Sequence, residues 1–212
     1  MPHRLRWEEI VRWPTIHGGV IAWTCDPTLK GGPPRLWPNH QRQIDMITNW
    51  QTTIWQQFGA AIDMLENGIR ACPENIWGDR ARKPEYWYVV YHTVFFLDYY
   101  LSGSEDKFAP PAGYTLSELD PSGVFPDRVY TKDELLAYLE LGRNKCRAAI
   151  ASLTEERAHR PCGFRRGELT EAELQLYNMR HVQHHAAQLN LILRQTIDSA
   201  PNWVGKTKMK LG

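Results

Sequence analysis

Cysteine is scarce: Cys25, Cys72, Cys146 and Cys162 are the only four in 212 residues, and no two stand in a C-x-x-C pair. That spacing excludes a thiolate zinc knuckle and a disulfide framework, and sets the expectation of a reducing, cytoplasmic environment. Long apolar runs are missing too. No stretch approaches the ~20 residues that a membrane helix needs, so no membrane partner is expected. No apolar segment of leader type follows Met1, and no secretory signal is read there. Charge of one sign is absent: 25 Lys and Arg stand against 24 Asp and Glu, for a net charge of +1. Without a basic stripe, nucleic acid is not an expected partner. No segment alternates apolar and polar residues at period two for long enough to be a strand, and no internal repeat is visible.

Aromatic residues are abundant, with nine tryptophans and nine tyrosines. The surplus suits a pocket lining or a subunit interface. Its distribution is uneven. Residues 1–40 hold six of the fourteen prolines and four of the tryptophans, with Gly18-Gly19, Gly31-Gly32 and Pro33-Pro34. No period survives there, so residues 1–45 read as an irregular extension and the folded body as 46–200. A natural start at Met46 is one reading of that boundary, and a tryptophan-bearing arm packed on the body is the other. Residues 201–212 read as a frayed tail, with Trp203 able to tuck back.

Four amphipathic stretches fill the body. From about residue 41 to 71, Ile47, Trp50, Ile54, Phe58, Ala61, Leu65 and Ile69 recur at three- and four-residue steps, and Cys72-Pro73 ends the pattern. Residues 84–101 are apolar nearly all round, which predicts the most buried helix or one covered by a second copy of the chain. Residues 131–153 and 170–199 each open on a capping box, Thr131 with Glu134 and Thr170 with Glu173. A long connection over 104–130 separates the second and third helices, and its Phe108, Tyr114, Leu116, Leu119, Val124 and Phe125 predict that it packs down on the body and walls a pocket. The fold class is therefore all-α, a four-helix bundle with one long connection.

The last helix carries three histidines in YNMRHVQHHAAQLNLILRQ. At about 100° per residue, His181 and His185 flank the line through Leu174 and Ile192, and Gln188 lies with them. His184 falls about 80° away, on the flank. Two imidazoles at i and i+4 can share one metal ion. A third sits in the middle of YWYVVYHTVFFLDYYL: His92, a polar ring on an apolar helix, costly there unless partnered. Bundle cores build metal sites from facing helices in this manner, while core histidines satisfied by ordinary hydrogen bonds are the plainer alternative. Glu85 and Tyr88, on the face of His92, are candidates for a fourth ligand or an acid–base group, Glu85 otherwise being a solvated first-turn residue. Gln188 is a candidate to orient a ligand ring, His184 a proton shuttle at the rim. Asp98 points away from the face of His92. Of the cysteines only Cys146 falls on an inner stripe.

From about Met46 to Gln195 the chain resembles the DinB-like (YfiT-like) superfamily, on the strength of VVYHTVFFLDYYL and RHVQHHAAQL. The first 45 residues are not part of that resemblance. It implies a divalent metal held by one histidine of the second helix and an H-x-x-x-H pair of the last, here His92, His181 and His185. It further implies a metal-dependent transferase or hydrolase, thiol-dependent S-transfer above all, with a low-molecular-weight thiol among its substrates. Zinc, nickel and iron(II) all accept imidazole. A non-catalytic bundle, binding metal or a small molecule without turnover, is the competing reading. A homodimer is expected from the girth of the second helix.

Overall fold

The computed structural model describes residues 39–164 and 169–212, with side chains from Trp50 onward. Among these are six α-helices: α1 (Asn39–Ala71), α2 (Glu74–Trp77), α3 (Tyr86–Leu101), α4 (Lys132–Ala151), α5 (Glu155–Ala158) and α6 (Glu171–Ile197). No strand occurs among the described residues, only two isolated bridges. The reading of 1–45 as an extension falls mostly outside them, and the first helix already runs from Asn39.

The four long helices form a ring. α1 packs on α4 and α6, and α3 packs on the same two, so α1 and α3 lie diagonally opposite. This is the expected four-helix bundle. Its core is built of Phe58, Ile62 and Leu65 from α1, Val90 and Val94 from α3, Leu135 and Leu139 from α4, and Val182 and Leu189 from α6. Both capping boxes form, Thr131 with Glu134 and Thr170 with Glu173, and each satisfies amide groups that a helix start leaves unpaired. Gly142 lets α4 approach α3: a Cβ there would stand 2.8 Å from Leu97 Cδ2. Arg143, almost wholly buried, crosses from α4 to Asp63 and Glu66 of α1. Asp98 is buried and paired with Lys145 at 2.5 Å, away from the histidines as expected.

Two expectations need correction. The chain beyond α6 is not frayed but strapped across α1. Thr207 N donates to Gln56 O at 3.0 Å, and Trp55 Nε1 donates to Met209 O at 2.8 Å. Gly59 makes room for the strap, since a Cβ would lie 2.5 Å from Thr207 Cγ2. Trp203 stays largely exposed. The long connection packs only in part. Phe108 and Tyr114 join the core, Tyr114 against Tyr138 at 4.5 Å, while Leu116, Leu119, Val124 and Phe125 remain exposed. Among the described residues no helix is long and apolar enough to cross a membrane.

Candidate metal centre

The buried face of α6 runs through Asn178, Val182, Ala186, Leu189 and Leu193. Its centre is therefore turned from the line through Leu174 and Ile192, and Ala187 and Gln188 point outward. His181 and His185 lie on one edge of the stripe, about 100° and 60° from Val182. They are half-buried, not central. His92 sits likewise on the half-buried edge of α3 that includes Tyr88, Phe96 and Tyr99. The two edges meet where the bundle opens, which spares three polar rings the cost of full burial.

There the three imidazoles converge. His181 Nε2 is 3.3 Å from His92 Nε2 and 3.1 Å from His185 Nε2, and one nitrogen from each ring lies within 4.8 Å of the other two. The outer nitrogens fix the tautomers. His92 Nδ1 lies 2.7 Å from Glu118 Oε2, and His185 Nδ1 lies 2.7 Å from Gln188 Oε1. Both partners are acceptors, so both Nδ1 atoms carry the proton and both Nε2 atoms present lone pairs. A single proton on His181 Nε2 can point at only one of them, and His181 Nδ1 is buried without a hydrogen-bond partner. A cation between the rings would engage all three lone pairs. Tetrahedral donors at about 2.0–2.1 Å from such an ion stand about 3.3 Å apart. The donor set therefore fits a divalent metal.

Protonation points the same way. Burial, reinforced by the imidazoles of His185, His92 and His184, pushes His181 down to about 3. Burial likewise lowers His185 to about 4, although the hydrogen bond to Gln188 works in the opposite sense. Both rings are neutral at physiological pH, the form that ligates metal. The three histidines, with Phe96, Tyr100 and Tyr177, line a cavity of about 250 Å³. No further His, Cys, Asp or Glu joins the group among the described residues.

The other candidates sort differently. Gln188 holds His185, and its amide nitrogen lies 3.1 Å from Nε2 of the exposed His184. Tyr88 stacks on Phe125 at 4.3 Å and faces Glu118; burial and that carboxylate hold its phenol well above the ordinary range, hence neutral. Glu85 is neither solvated nor near the histidines. It caps α3 seven residues before His92, 2% exposed, bonded to Trp87 Nε1 at 2.7 Å and paired with Lys83 and Arg80. Burial raises its carboxyl, but these partners together leave it below the ordinary glutamate value. Cys146 is fully buried, and burial pushes its thiol far up, so it is inert. Cys25 lies outside the described residues. Glu118 was not among the sequence candidates. It stands in a single turn, Ser117–Leu119, inside the long connection, and the only signal for it was that this connection should wall a pocket.

A family model described as the DinB superfamily matches residues 52–189, well over half of the chain and inclusive of all three histidines. No curated protein and no solved structure matches.

Proposed function

Because the chain belongs to the DinB superfamily, we propose that His92, His181 and His185 hold one divalent metal, zinc, nickel or iron(II), in a catalytic centre. The observation that carries this reading is the convergence of three Nε2 atoms, with the outer nitrogens of two of the rings already committed, His92 to Glu118 and His185 to Gln188. Bound there, such an ion supplies an acidified water or thiol at neutral pH. The rest falls to the chain. Glu118, its side chain 4% exposed, holds His92 in one tautomer and offsets the incoming positive charge. Gln188 does the same for His185 without charge. His184, hydrogen-bonded to Gln188 and exposed at the rim, is placed to exchange protons with solvent.

Three protein ligands leave coordination positions for substrate, as catalytic sites do and closed structural sites do not. The cavity over the histidines favours turnover over a purely structural metal for the same reason. Thiol-dependent S-transfer is the reaction we assign, with a low-molecular-weight thiol as co-substrate and the reducing cytoplasm as its setting. The free Cys72, Cys146 and Cys162 are compatible with that setting. A homodimer belongs to the same proposal, supported by the exposed Leu116, Leu119, Val124 and Phe125. Sedimentation as monomer at micromolar concentration would remove it.

Metal analysis of protein purified without a nickel column tests the centre. A stoichiometric divalent metal is expected, abolished by His181→Ala or His185→Ala, lost or much weakened by His92→Ala and kept by His184→Ala. Retention in all four variants, or no metal under replete conditions, sinks the metal reading.

A further inference from the structure

A roomier cavity lies beside the one over the histidines. A cleft of about 610 Å³ lies between α1, α6 and the C-terminal strap, and shares Tyr177 and His181 with the histidine cavity. Its walls are of two kinds. Ala60, Met179, Val204 and the indole of Trp203 give it an apolar and aromatic side. Arg180, Gln183 and His184 give it a polar side, and no carboxylate among the described residues lines it. Arg180 is exposed and has no ion-pair or hydrogen-bond partner among the described residues. A guanidinium in a concave site free of carboxylates is complementary to a planar anion, above all a carboxylate that it can grip with two N–H groups.

His184 lines the same cleft. The Gln188 amide gives its oxygen to His185 Nδ1–H and its nitrogen to His184 Nε2. Nε2 of His184 is therefore an acceptor, and the proton of its neutral ring sits on Nδ1. The chain His184–Gln188–His185 joins a cleft-lining ring to one that faces the other two histidines.

We propose that this cleft binds a small carboxylate with an aromatic or branched apolar body, its anion on Arg180 and its body against Trp203. Held there, the ligand lies behind the shared wall of Tyr177 and His181. Its role as substrate of the neighbouring centre rests on the metal reading above; its binding does not.

Phenylacetate, with 2-phenylacetamide as its neutral isostere, tests this by calorimetry on the full chain, metal-free and zinc-loaded. Phenylacetate should bind both forms, and the amide should bind at least roughly tenfold more weakly, the size of one lost charge-assisted contact. Arg180→Gln, exposed and outside the core, should weaken phenylacetate by a similar factor and leave the amide unchanged. Trp203→Ala should weaken both. Equal affinity of acid and amide, indifference to Arg180→Gln, or no binding at millimolar phenylacetate overturns the proposal. Binding confined to the zinc-loaded form and indifferent to Arg180 means capture by the ion alone, and overturns it too. Arg180-dependent binding to a protein that takes up no zinc upholds the cleft while the metal reading falls.

Discussion

Glu118 reaches His92 at 2.7 Å from a loop 26 residues along the chain, and among the described residues its charge is the only negative one within hydrogen-bond distance of the three rings. Glu118→Gln keeps an acceptor for Nδ1–H but removes that charge, so divalent metal should bind about 10- to 100-fold more weakly. Competition against a chromophoric chelator measures this, and unchanged affinity would show the carboxylate to be idle. Protons act through the other two rings. His181 and His185 are held at about 3 and about 4 in the folded chain, below the ordinary histidine value. Between about pH 6.5 and those values the unfolded chain binds more protons than the native one, so metal-free stability falls as pH falls through that window. Denaturant midpoints should show the fall, and it should be shallower in His181→Ala/His185→Ala. A parallel pH profile in that variant would contradict the assigned shifts. The same depression means these two rings do not compete with metal near pH 6–7, the range that unperturbed imidazoles would give. Spacing in the sequence revealed the i,i+4 pair, because helical geometry fixes which residues share a face, and a polar ring in the middle of an apolar helix pointed to His92. Glu118 was illegible, since the path of an aperiodic loop decides whether its carboxylate meets His92.

At the scale of elements, regular patterns of residue type were readable, while breaks in the apolar pattern and contacts made by the main chain were not. Thr131 and Thr170 announce their helices through capping boxes, a pattern of residue types. The inward line of α6 was misplaced because Gln175, Asn178 and Asn190 occupy buried positions where the pattern asks for apolar residues. The C-terminal strap was read as frayed because its anchors are mainly backbone: Thr207 N on Gln56 O, and the carbonyls of Gly205 and Met209 receiving Gln57 and Trp55. Its one imprint on the sequence is Gly59, in mid-helix under Thr207. Gly59→Ala should therefore destabilise the full chain by about 1–3 kcal/mol, as overpacking does. In a chain ending at Ala200 the same change should stabilise by about 0.5–1 kcal/mol, the ordinary gain of alanine over glycine within a helix. Urea titrations of the four proteins read the reversal of sign. The same sign in both backgrounds would mean that the strap does not press on Gly59.

For the molecule as a whole, the question is what holds α1 in the ring. Among the side chains described, those from Trp50 onward, several ties hold it. Gln51 Nε2 donates to Leu153 O at 2.7 Å, Trp55 holds the strap, Asp63 and Glu66 take Arg143, and Gly68 O accepts from Tyr86 Oη at 2.8 Å. Among the described side chains of α1, full apolar burial is first met at Trp55, and the family match starts at residue 52. A chain beginning at Met46 loses the first two turns of α1 but no tie among those named. It should unfold cooperatively, with stability within about 0.5 kcal/mol of the parent, the usual span for changes that touch no buried feature. It should also carry the same metal content. Because the metal would bind the folded chain alone, the comparison is made on chelator-treated protein, where bound ion cannot mask a loss. A truncated chain that is insoluble, or that melts without cooperativity while the parent does not, would make the first 45 residues part of the folded body and move the domain boundary to the start of the sequence.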